Sequence, residues 1–447
     1  MNAKFIEFRK KYKEFIYKKY EIIENEEEYK ITYFFEIPNL KEFTPYISIN
    51  KKDILNKNIN QSVFKNLVFN IGMVELLSYL KATCSPKIVI EAGYLNEDQV
   101  SWWKKLYYYG LGEFLYSNNI EVSEDELFNF EVRHAKEKIL KTDYEGIGNL
   151  IPIGGGKDSN VTLELLKKHD NTPIAINPKQ IHYDCINAGG YNNIFCVKRV
   201  LDKGLLELNE QGFLNGHTPF SALVSFVTYL CAYLSNKKYI VLSNEASANE
   251  ATVLGTNINH QYSKSYEYEY DFNNYADKYL RLNIKYFSLL RALNETQIAY
   301  LFSKYKKYHK VFKSCNVGSK SVPWKWCCEC PKCLFVYIIL SPYLNDEELI
   351  NIFGENLYIK ESLLTTFKEL LGLEKTKPFE CVGTTKEVRD AVSKAIKCRD
   401  DLPFLLKYYQ DNYPLEDYDL LNEYNKENFI PEEYEIILKE ELKCIKE

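Results

Sequence analysis

Residues 151–159 have the sequence Ile151-Pro152-Ile153-Gly154-Gly155-Gly156-Lys157-Asp158-Ser159. The apolar run that ends at Ile153 predicts a strand, and the apolar residues at helical spacing after Ser159 predict a helix. Because three residues without a Cβ separate the two, backbone N–H groups can converge on one point beside the positive end of the helix dipole. The stretch therefore predicts a strand, a glycine loop and a helix that together bind a phosphate or pyrophosphate.

The spacing of these glycines excludes two common phosphate-binding loops. Neither the dinucleotide fingerprint G-x-G-x-x-G nor the Walker loop G-x-x-x-x-G-K-[ST] fits residues 154–159. The residues resemble the S-G-G-x-D-S loop of the ATP pyrophosphatases, with Gly154 in place of the first serine. This resemblance implies that ATP is cleaved between its α and β phosphates with Mg²⁺ present. The alternative is an ordinary strand-to-helix turn of an α/β domain.

Composition limits the classes of partner and the compartment. The 447 residues carry a net charge of -5, which argues against nucleic acid as the main partner. The N-terminus lacks a signal-peptide core, and the longest apolar run, Phe220 to Leu234, is shorter than the ~20 residues that span a bilayer. We therefore expect a cytoplasmic protein that does not insert into a membrane. Twelve cysteines then indicate metal or free thiols rather than disulfides.

The pattern of apolar residues predicts three regions. Residues 1–144 have the pattern of an α+β domain, residues 145–342 alternate strands and helices, and residues 343–447 are mainly helical. The alternation is typical of an α/β fold with a doubly wound parallel sheet, here of the ATP-pyrophosphatase (PP-loop) type. The predicted strands are Leu150–Ile153, Pro173–Asn177, Tyr239–Ser243, Ile284–Leu290 and Lys310–Ser314, and the tyrosine–acid alternation of residues 266–271 predicts a further, exposed strand.

Polar residues follow two of these strands directly. Asn177 ends the second strand, where adenine or ribose would lie if the glycine loop holds pyrophosphate. Ser243, Asn244 and Glu245 follow the third strand and lead into a loop that carries His260 and Lys264. Such side chains beside a buried strand favour a substrate site, with ordinary loop structure as the alternative.

Four cysteines have the spacing of a metal site. Cys327, Cys330 and Cys333 form two overlapping C-x-x-C steps, and Cys315 lies upstream. Four thiolates on short loops fit tetrahedral Zn²⁺, which leaves Cys328 as the spare. Metal-free thiols and a redox cysteine are the alternatives.

Taken together, these segments resemble the ATP-dependent UDP-N-acetylmuramoyl-L-alanyl-L-glutamate epimerases of bacterial cell-wall (peptidoglycan) synthesis. The resemblance extends along nearly the whole chain, and its matching segments are 154–159, 243–249, 259–265, 330–333 and 378–383. A more distant resemblance to the deazaguanine synthases covers the glycine loop and the cysteine cluster. The alternatives in function are therefore a ligase that adenylates another carboxylate or base, and an ATP sensor without turnover.

The resemblance implies a UDP-muramoyl dipeptide as substrate and assigns roles to individual residues. Gly154, Gly155, Gly156 and Ser159 would hold the pyrophosphate, Lys157 would balance its charge, and Asp158 would bind Mg²⁺. The expected proton carriers are His260, Lys264, Glu245 and Cys381, and Lys264 could instead bind the anionic substrate.

Overall fold

The structure is a computed structural model that describes residues 2–136, 142–250, 252–253, 259–260 and 262–446. Part of the loop with the polar side chains, residues 254–258 and Gln261, lies outside the described residues. The strands are β1 (Glu14–Glu24), β2 (Glu28–Ile37), β3 (Lys41–Phe43), β4 (Tyr46–Asn50), β5 (Lys87–Ile90), β6 (Asn129–Val132), β7 (Asn149–Pro152), β8 (Asn171–Ile176), β9 (Phe195–Val200), β10 (Tyr239–Leu242) and β11 (Lys285–Ser288).

The helices are α1 (Ala3–Lys11), α2 (Gln61–Glu75), α3 (Leu77–Leu80), α4 (Glu97–Gly110), α5 (Gly112–Ser117), α6 (Glu124–Leu127), α7 (Lys157–Leu165), α8 (Gln180–Gly189), α9 (Lys203–Glu210), α10 (Phe220–Leu234), α11 (Tyr266–Tyr275), α12 (Glu295–Lys304), α13 (Pro331–Leu340), α14 (Asp346–Phe353), α15 (Leu364–Leu370), α16 (Thr385–Lys397), α17 (Phe404–Asn412) and α18 (Glu432–Lys446).

One sheet of eleven strands runs through the fold in the order β11-β10-β7-β8-β9-β4-β2-β1-β5-β6, with β3 paired to β2. The pairs β7–β10, β1–β5 and β5–β6 are parallel, whereas β1–β2, β2–β4 and β4–β9 are antiparallel. The α/β class is therefore confirmed, but the sheet is mixed rather than parallel throughout. From β7 the chain proceeds to β8 and β9 on one side and later returns to β10 and β11 on the other. Ligands of open α/β sheets bind at such a reversal, beyond the carboxyl ends of the strands.

The first compact unit comprises Met1–Leu150, Phe195–Ile240 and Tyr262–Tyr286. Its core includes α2 packed on α10, and a Cβ at Gly72 of α2 would lie 2.0 Å from the Tyr17 hydroxyl, so this contact requires glycine. Among the described residues, the helical stretch Gln61–Leu80 is long and apolar enough to cross a bilayer, but 89% of it is buried, as in a core helix.

The second compact unit comprises Ile151–Ile194, Val241–Gln261 and Phe287–Glu447. Within it α12 packs on α7, and α13 packs on α12 and α16. From Lys332 to Leu340 every residue of α13 is buried. The glycine loop, the cysteine cluster and the C-terminal helices all belong to this unit. The predicted domain boundaries after residues 144 and 342 stay predictions.

Two predicted strands are wrong. Residues 266–271 lie in α11, which Ser265 caps by accepting a hydrogen bond from the Tyr268 N–H at 3.2 Å. The buried residues Tyr268, Phe272 and Tyr275 have helical spacing, and their burial outweighs the alternation with acidic residues. The segment Lys310–Ser314 forms turn and irregular backbone.

Strands β1 and β9 were not predicted. In β1 only the first half alternates between buried and partly exposed residues, and the charged second half hides this pattern. Strand β9 combines basic and apolar residues, and its place is set by pairing with β4.

Candidate functional site

The glycine loop connects β7 to α7 with its backbone open. A Cβ at Gly154 would meet nothing within 4 Å, and Gly155 has a φ of +80°, a conformation that glycine adopts without strain. Gly156 is the N-cap residue of α7 and has no side chain that could accept a hydrogen bond from the first turn. The first N–H groups of α7 are thus available to an anion.

Lys157 is the first residue of α7, and its side chain points into the protein. Its ammonium donates to the carboxylates of both Asp158 and Glu295. Lys157 and Glu295 each keep only 1% of the side chain exposed, whereas Asp158 keeps 27%. Burial alone would lower the pKa of Lys157, but these carboxylates outweigh it and raise the pKa, so the ammonium is charged. The cation beside the glycine loop is therefore already paired.

Glu295 is the first residue of α12, and its backbone N–H makes a hydrogen bond to a second buried carboxylate, that of Glu387. The Glu295 N–H donates to Glu387 Oε1 at 2.7 Å. The other oxygen of Glu387 accepts hydrogen bonds from the Thr384 N–H at 2.6 Å and from its hydroxyl at 2.8 Å. Glu387 therefore caps α12 and α16 at once. Burial raises the pKa of Glu387 in spite of these donors, and burial also raises the pKa of Glu295, which Lys157 opposes.

The tip after β10 adds a third buried carboxylate. Glu245 is 5% exposed, and its charge acts on both Glu295 and Glu387. Arg291 holds the tip by donating to the Glu245 carbonyl at 2.6 Å. We call Asp158, Glu245, Glu295 and Glu387 the carboxylate cluster. Its members come from four segments that are distant in sequence.

The other predicted residues of this tip make polar contacts within the second unit. The Ser243 hydroxyl lies 2.8 Å from the Thr162 hydroxyl of α7, and the Asn244 amide donates to the Ser288 hydroxyl at 3.1 Å. Ser159 of α7 donates its hydroxyl to the Gly156 carbonyl at 3.2 Å. These contacts tie the β10 tip to the helix that follows the glycine loop.

A segment of the C-terminal region, residues 377–383, packs against the same site. Lys377 donates to the Gly383 carbonyl at 2.8 Å and to the Glu250 carboxylate at the end of the β10 tip. Lys332, the second residue of α13, donates to the Cys381 carbonyl, and its charge lowers the pKa of Glu295 against the effect of burial. The half-buried Cys381 is thus held beside a lysine that faces the carboxylate cluster.

The four predicted cysteine ligands converge. The sulfurs of Cys315, Cys327, Cys330 and Cys333 all lie within 4.8 Å of one another. The distances are 3.8 Å from Cys315 to Cys330, 3.7 Å from Cys327 to Cys333 and 3.5 Å from Cys330 to Cys333. Tetrahedral zinc with Zn–S bonds of ~2.3 Å places its sulfurs about 3.8 Å apart. The cluster could therefore hold a structural metal.

The hydrogen bonds that Cys315 accepts fit the same use. Hydrogen bonds from Cys330 and Cys333 lower the pKa of Cys315, which also accepts the Gly318 N–H at 3.0 Å. Cys328 points away and donates to the Phe353 carbonyl at 3.2 Å, which agrees with its interpretation as the spare cysteine.

Three further predicted residues, Asn177, His260 and Lys264, lie on loops and turns. Asn177 is exposed after β8 in a left-handed conformation with φ of 50°. The His260 N–H donates to the Thr252 hydroxyl at 3.1 Å, and the His260 side chain is half-buried. Lys264 lies in the 3-10 turn Tyr262–Lys264, which belongs to the first unit. Their proposed roles stay predictions.

Glu295, Lys332 and the contacts of Glu387 were not predicted from the sequence. Glu295 and Glu387 both occur in N-cap sequences, Asn-Glu-x-Gln and Thr-x-x-Glu, which indicate the start of a helix and not a site. Lys332 lies inside the cysteine motif, which was interpreted only as a metal site. The sequence offered one indication of this role, because Lys332 is a charged residue at the start of an otherwise apolar helix.

Comparison with protein families accounts for most of the chain. Residues 7–289 match the MurL N-terminal domain, and residues 311–410 match the MurL C-terminal domain. The chain belongs to the MurL family. The two MurL matches together include β7, the β10 tip and the cysteine cluster.

Curated MurL relatives cover about the same fraction of both chains. A protein of Xanthomonas oryzae pv. oryzae is 35% identical over 332 residues, which are 72% of this chain and 73% of the relative. A Micromonospora protein has the same identity and coverage, and one from Salinispora tropica is 34% identical over 326 residues, 71% of this chain and 70% of the relative. All three are named UDP-N-acetyl-alpha-D-muramoyl-L-alanyl-L-glutamate epimerase. No solved structure matches this chain.

Proposed function

We propose that this protein is an epimerase that converts the terminal L-glutamate of UDP-N-acetylmuramoyl-L-alanyl-L-glutamate to D-glutamate, with ATP as co-substrate. The observation that carries the proposal is the match to both MurL domains, together with relatives of that name at 34–35% identity. The open glycine loop beside the carboxylate cluster supports the use of a nucleotide. We place the reaction in the cytoplasm, where ATP is available.

ATP would solve the central difficulty of the reaction. Removing the α-proton of a glutamate adds negative charge next to an ionised carboxylate. If a carboxylate oxygen attacks the α-phosphorus of ATP, the bond from that phosphorus to the bridging oxygen breaks and pyrophosphate leaves. The resulting acyl-adenylate has no carboxylate charge, so its carbonyl can accept the electron pair when the α-proton is removed. Reprotonation on the opposite face, followed by hydrolysis of the anhydride, gives the D-glutamyl product and AMP.

The residues of the second unit supply groups for these steps. The open backbone of Gly154 and the start of α7, whose N-cap residue is a glycine without a capping side chain, would bind the departing pyrophosphate. Asp158 has the partly exposed oxygen ligands that fit Mg²⁺, which would neutralise phosphate charge. Glu245 is a candidate proton carrier because it belongs to the carboxylate cluster, and Cys381 is another because it lies in the segment that packs on this cluster. His260 and Lys264 remain further candidates.

We also propose that the cysteine cluster binds structural Zn²⁺. Four thiol ligands leave no open coordination position for substrate, as is typical of structural rather than catalytic zinc. Zinc would fix the start of α13 and with it Lys332.

Incubation with ATP, Mg²⁺ and the L-glutamyl UDP-dipeptide in deuterated water tests the function. We expect deuterium at the glutamate α-carbon, a D-glutamyl product, and release of AMP and pyrophosphate. A ligase would release AMP but leave the α-proton in place, and an ATP sensor would release no AMP. Epimerisation without ATP, or with release of ADP, would contradict the proposed mechanism.

A further inference from the structure

The glycine loop needs a cation that its own lysine does not offer. Pyrophosphate carries several negative charges, and backbone N–H groups provide only partial positive charge. Lys157 is 1% exposed and already donates to the carboxylates of Asp158 and Glu295. If Lys157 turned toward a phosphate, the buried Glu295 would lose the cation that contacts it among the described residues, and a buried carboxylate without such a partner is strongly disfavoured.

Residues 313 and 314 lie directly along this loop. The Lys313 N–H donates to the Gly155 carbonyl at 2.9 Å. A Cβ built on Gly156 would lie 2.8 Å from the Ser314 hydroxyl, so Ser314 fills the space that a side chain there would take. The irregular segment just before Cys315 therefore lies beside the glycine loop.

Lys313 is the cation of that segment. Its side chain is half-buried, next to Asp184 and Cys185 of α8, and Cys185 itself contacts the Gly155 carbonyl at 3.7 Å. Within the part of the chain that the structure describes, no carboxylate lies at ion-pair distance from the Lys313 ammonium. A half-buried ammonium without an ion-pair partner is suited to bind an anionic ligand.

We propose that Lys313 binds the β- and γ-phosphates of ATP and the pyrophosphate released from it, while Lys157 serves as an internal counterion of the carboxylate cluster. This assignment rests on the proposed function, because it presupposes that the glycine loop binds a nucleotide. It adds a ligand-binding residue from the segment that precedes the cysteine cluster. Cysteine ligation at Cys315 would then also fix the backbone that carries this lysine.

Ligand affinity of the full-length protein tests the assignment. Binding of Mg·ATP, of inorganic pyrophosphate and of AMP is measured by calorimetry for the wild type, Lys313→Met and the control Lys310→Met, an exposed lysine three residues earlier. A charge-assisted hydrogen bond corresponds to about a tenfold to hundredfold difference in affinity. Lys313→Met should lower the affinity for ATP and for pyrophosphate by this factor, and the affinity for AMP should stay within about twofold of the wild-type value. Lys313→Arg should restore most of the affinity, and Lys310→Met should change none of the three.

A second measurement on the wild type does not depend on how the variants fold. An amine-acetylating reagent followed by mass spectrometry reports the reactivity of each lysine. Pyrophosphate should protect Lys313, whereas AMP should not, and Lys310 should react equally throughout. Three results would overturn the Lys313 assignment but not the proposed function. They are an unchanged pyrophosphate affinity in Lys313→Met, an equal loss of AMP affinity in that variant, and no protection of Lys313 by pyrophosphate. A wild type that binds neither ATP nor pyrophosphate would overturn the proposed function and this assignment with it.

Discussion

Replacing Lys157 by methionine tests whether this lysine neutralises a buried carboxylate. Methionine has a similar length and no charge, so the change removes the ammonium with little loss of packing. Lys157 and Glu295 are each 1% exposed, and Glu295 would be left with no contacting cation. Asp158 is 27% exposed, so water screens its charge more effectively.

The expected loss of stability follows from the proton that Glu295 must take up. A buried carboxyl without a cation becomes neutral, and its ordinary pKa is 4.5. Holding it neutral at pH 7 costs at most about 3.4 kcal/mol. Part of this cost is present in the wild type, because burial already raises the pKa of Glu295 there. We therefore expect Lys157→Met to lower the free energy of unfolding by about 1–3 kcal/mol at pH 7.

The sign of the pH dependence is fixed by the same argument. The native variant keeps a proton that the unfolded chain releases above pH 4.5. Stability of Lys157→Met relative to the wild type should therefore fall as the pH rises above that value, and the difference should shrink toward zero as the pH approaches it.

Urea unfolding at pH 5 and at pH 7.5 measures this difference for the wild type, Lys157→Met, Glu295→Gln and the double variant. In the Glu295→Gln background, the pH-dependent part of the Lys157→Met effect should disappear. Lys167→Met is the control, because Lys167 is 51% exposed and lies 3.7 Å from its partner Glu164, and it should change stability by no more than about 0.5 kcal/mol. A Lys157→Met effect of equal size at both pH values, or one that persists unchanged without the Glu295 carboxyl, would refute the reasoning.

Two further outcomes follow from the proposed ligands. Asp158→Asn should reduce AMP formation by about two orders of magnitude or more while the melting temperature stays near that of the wild type, and full activity would remove its proposed role at Mg²⁺. Cys330→Ser should lower the zinc content of protein purified without chelator and reduce the Tm by several degrees. The control Cys328→Ser should keep one equivalent of zinc. Equal zinc content in both variants would exclude the four-cysteine site.

The C-terminal region contributes a residue to the candidate site. Glu387 of α16 accepts the first N–H of α12, and Glu295 at that position contacts Lys157 of α7. Changes in residues 377–387 should therefore reach the glycine loop through α12. The mixed composition of this region gave no indication of such a connection.

Local sequence predicted the features that depend on neighbouring residues. The glycine loop, the start of α7 and the spacing of the cysteines are each encoded within a few residues, because turn geometry and metal ligation need residue types at short, fixed separations. The strand content of residues 266–271 was predicted wrongly for the same reason. The two-residue alternation of this segment is a local pattern. The burial of Tyr268 and Phe272 favours a helix instead, and it depends on residues elsewhere in the chain.

Only the tertiary structure decided what each charge contacts. Lys157 and Glu295 are 138 residues apart, and Glu387 follows Glu295 by 92 residues. No periodicity links residues at such separations, because their approach is set by how α7, α12 and α16 pack. The sequence alone thus determined that a glycine loop before a helix and a cluster of cysteines exist. The fold determined which lysine is paired in the interior and which one is left beside the loop, since an ion pair depends on distance and burial and not on order along the chain.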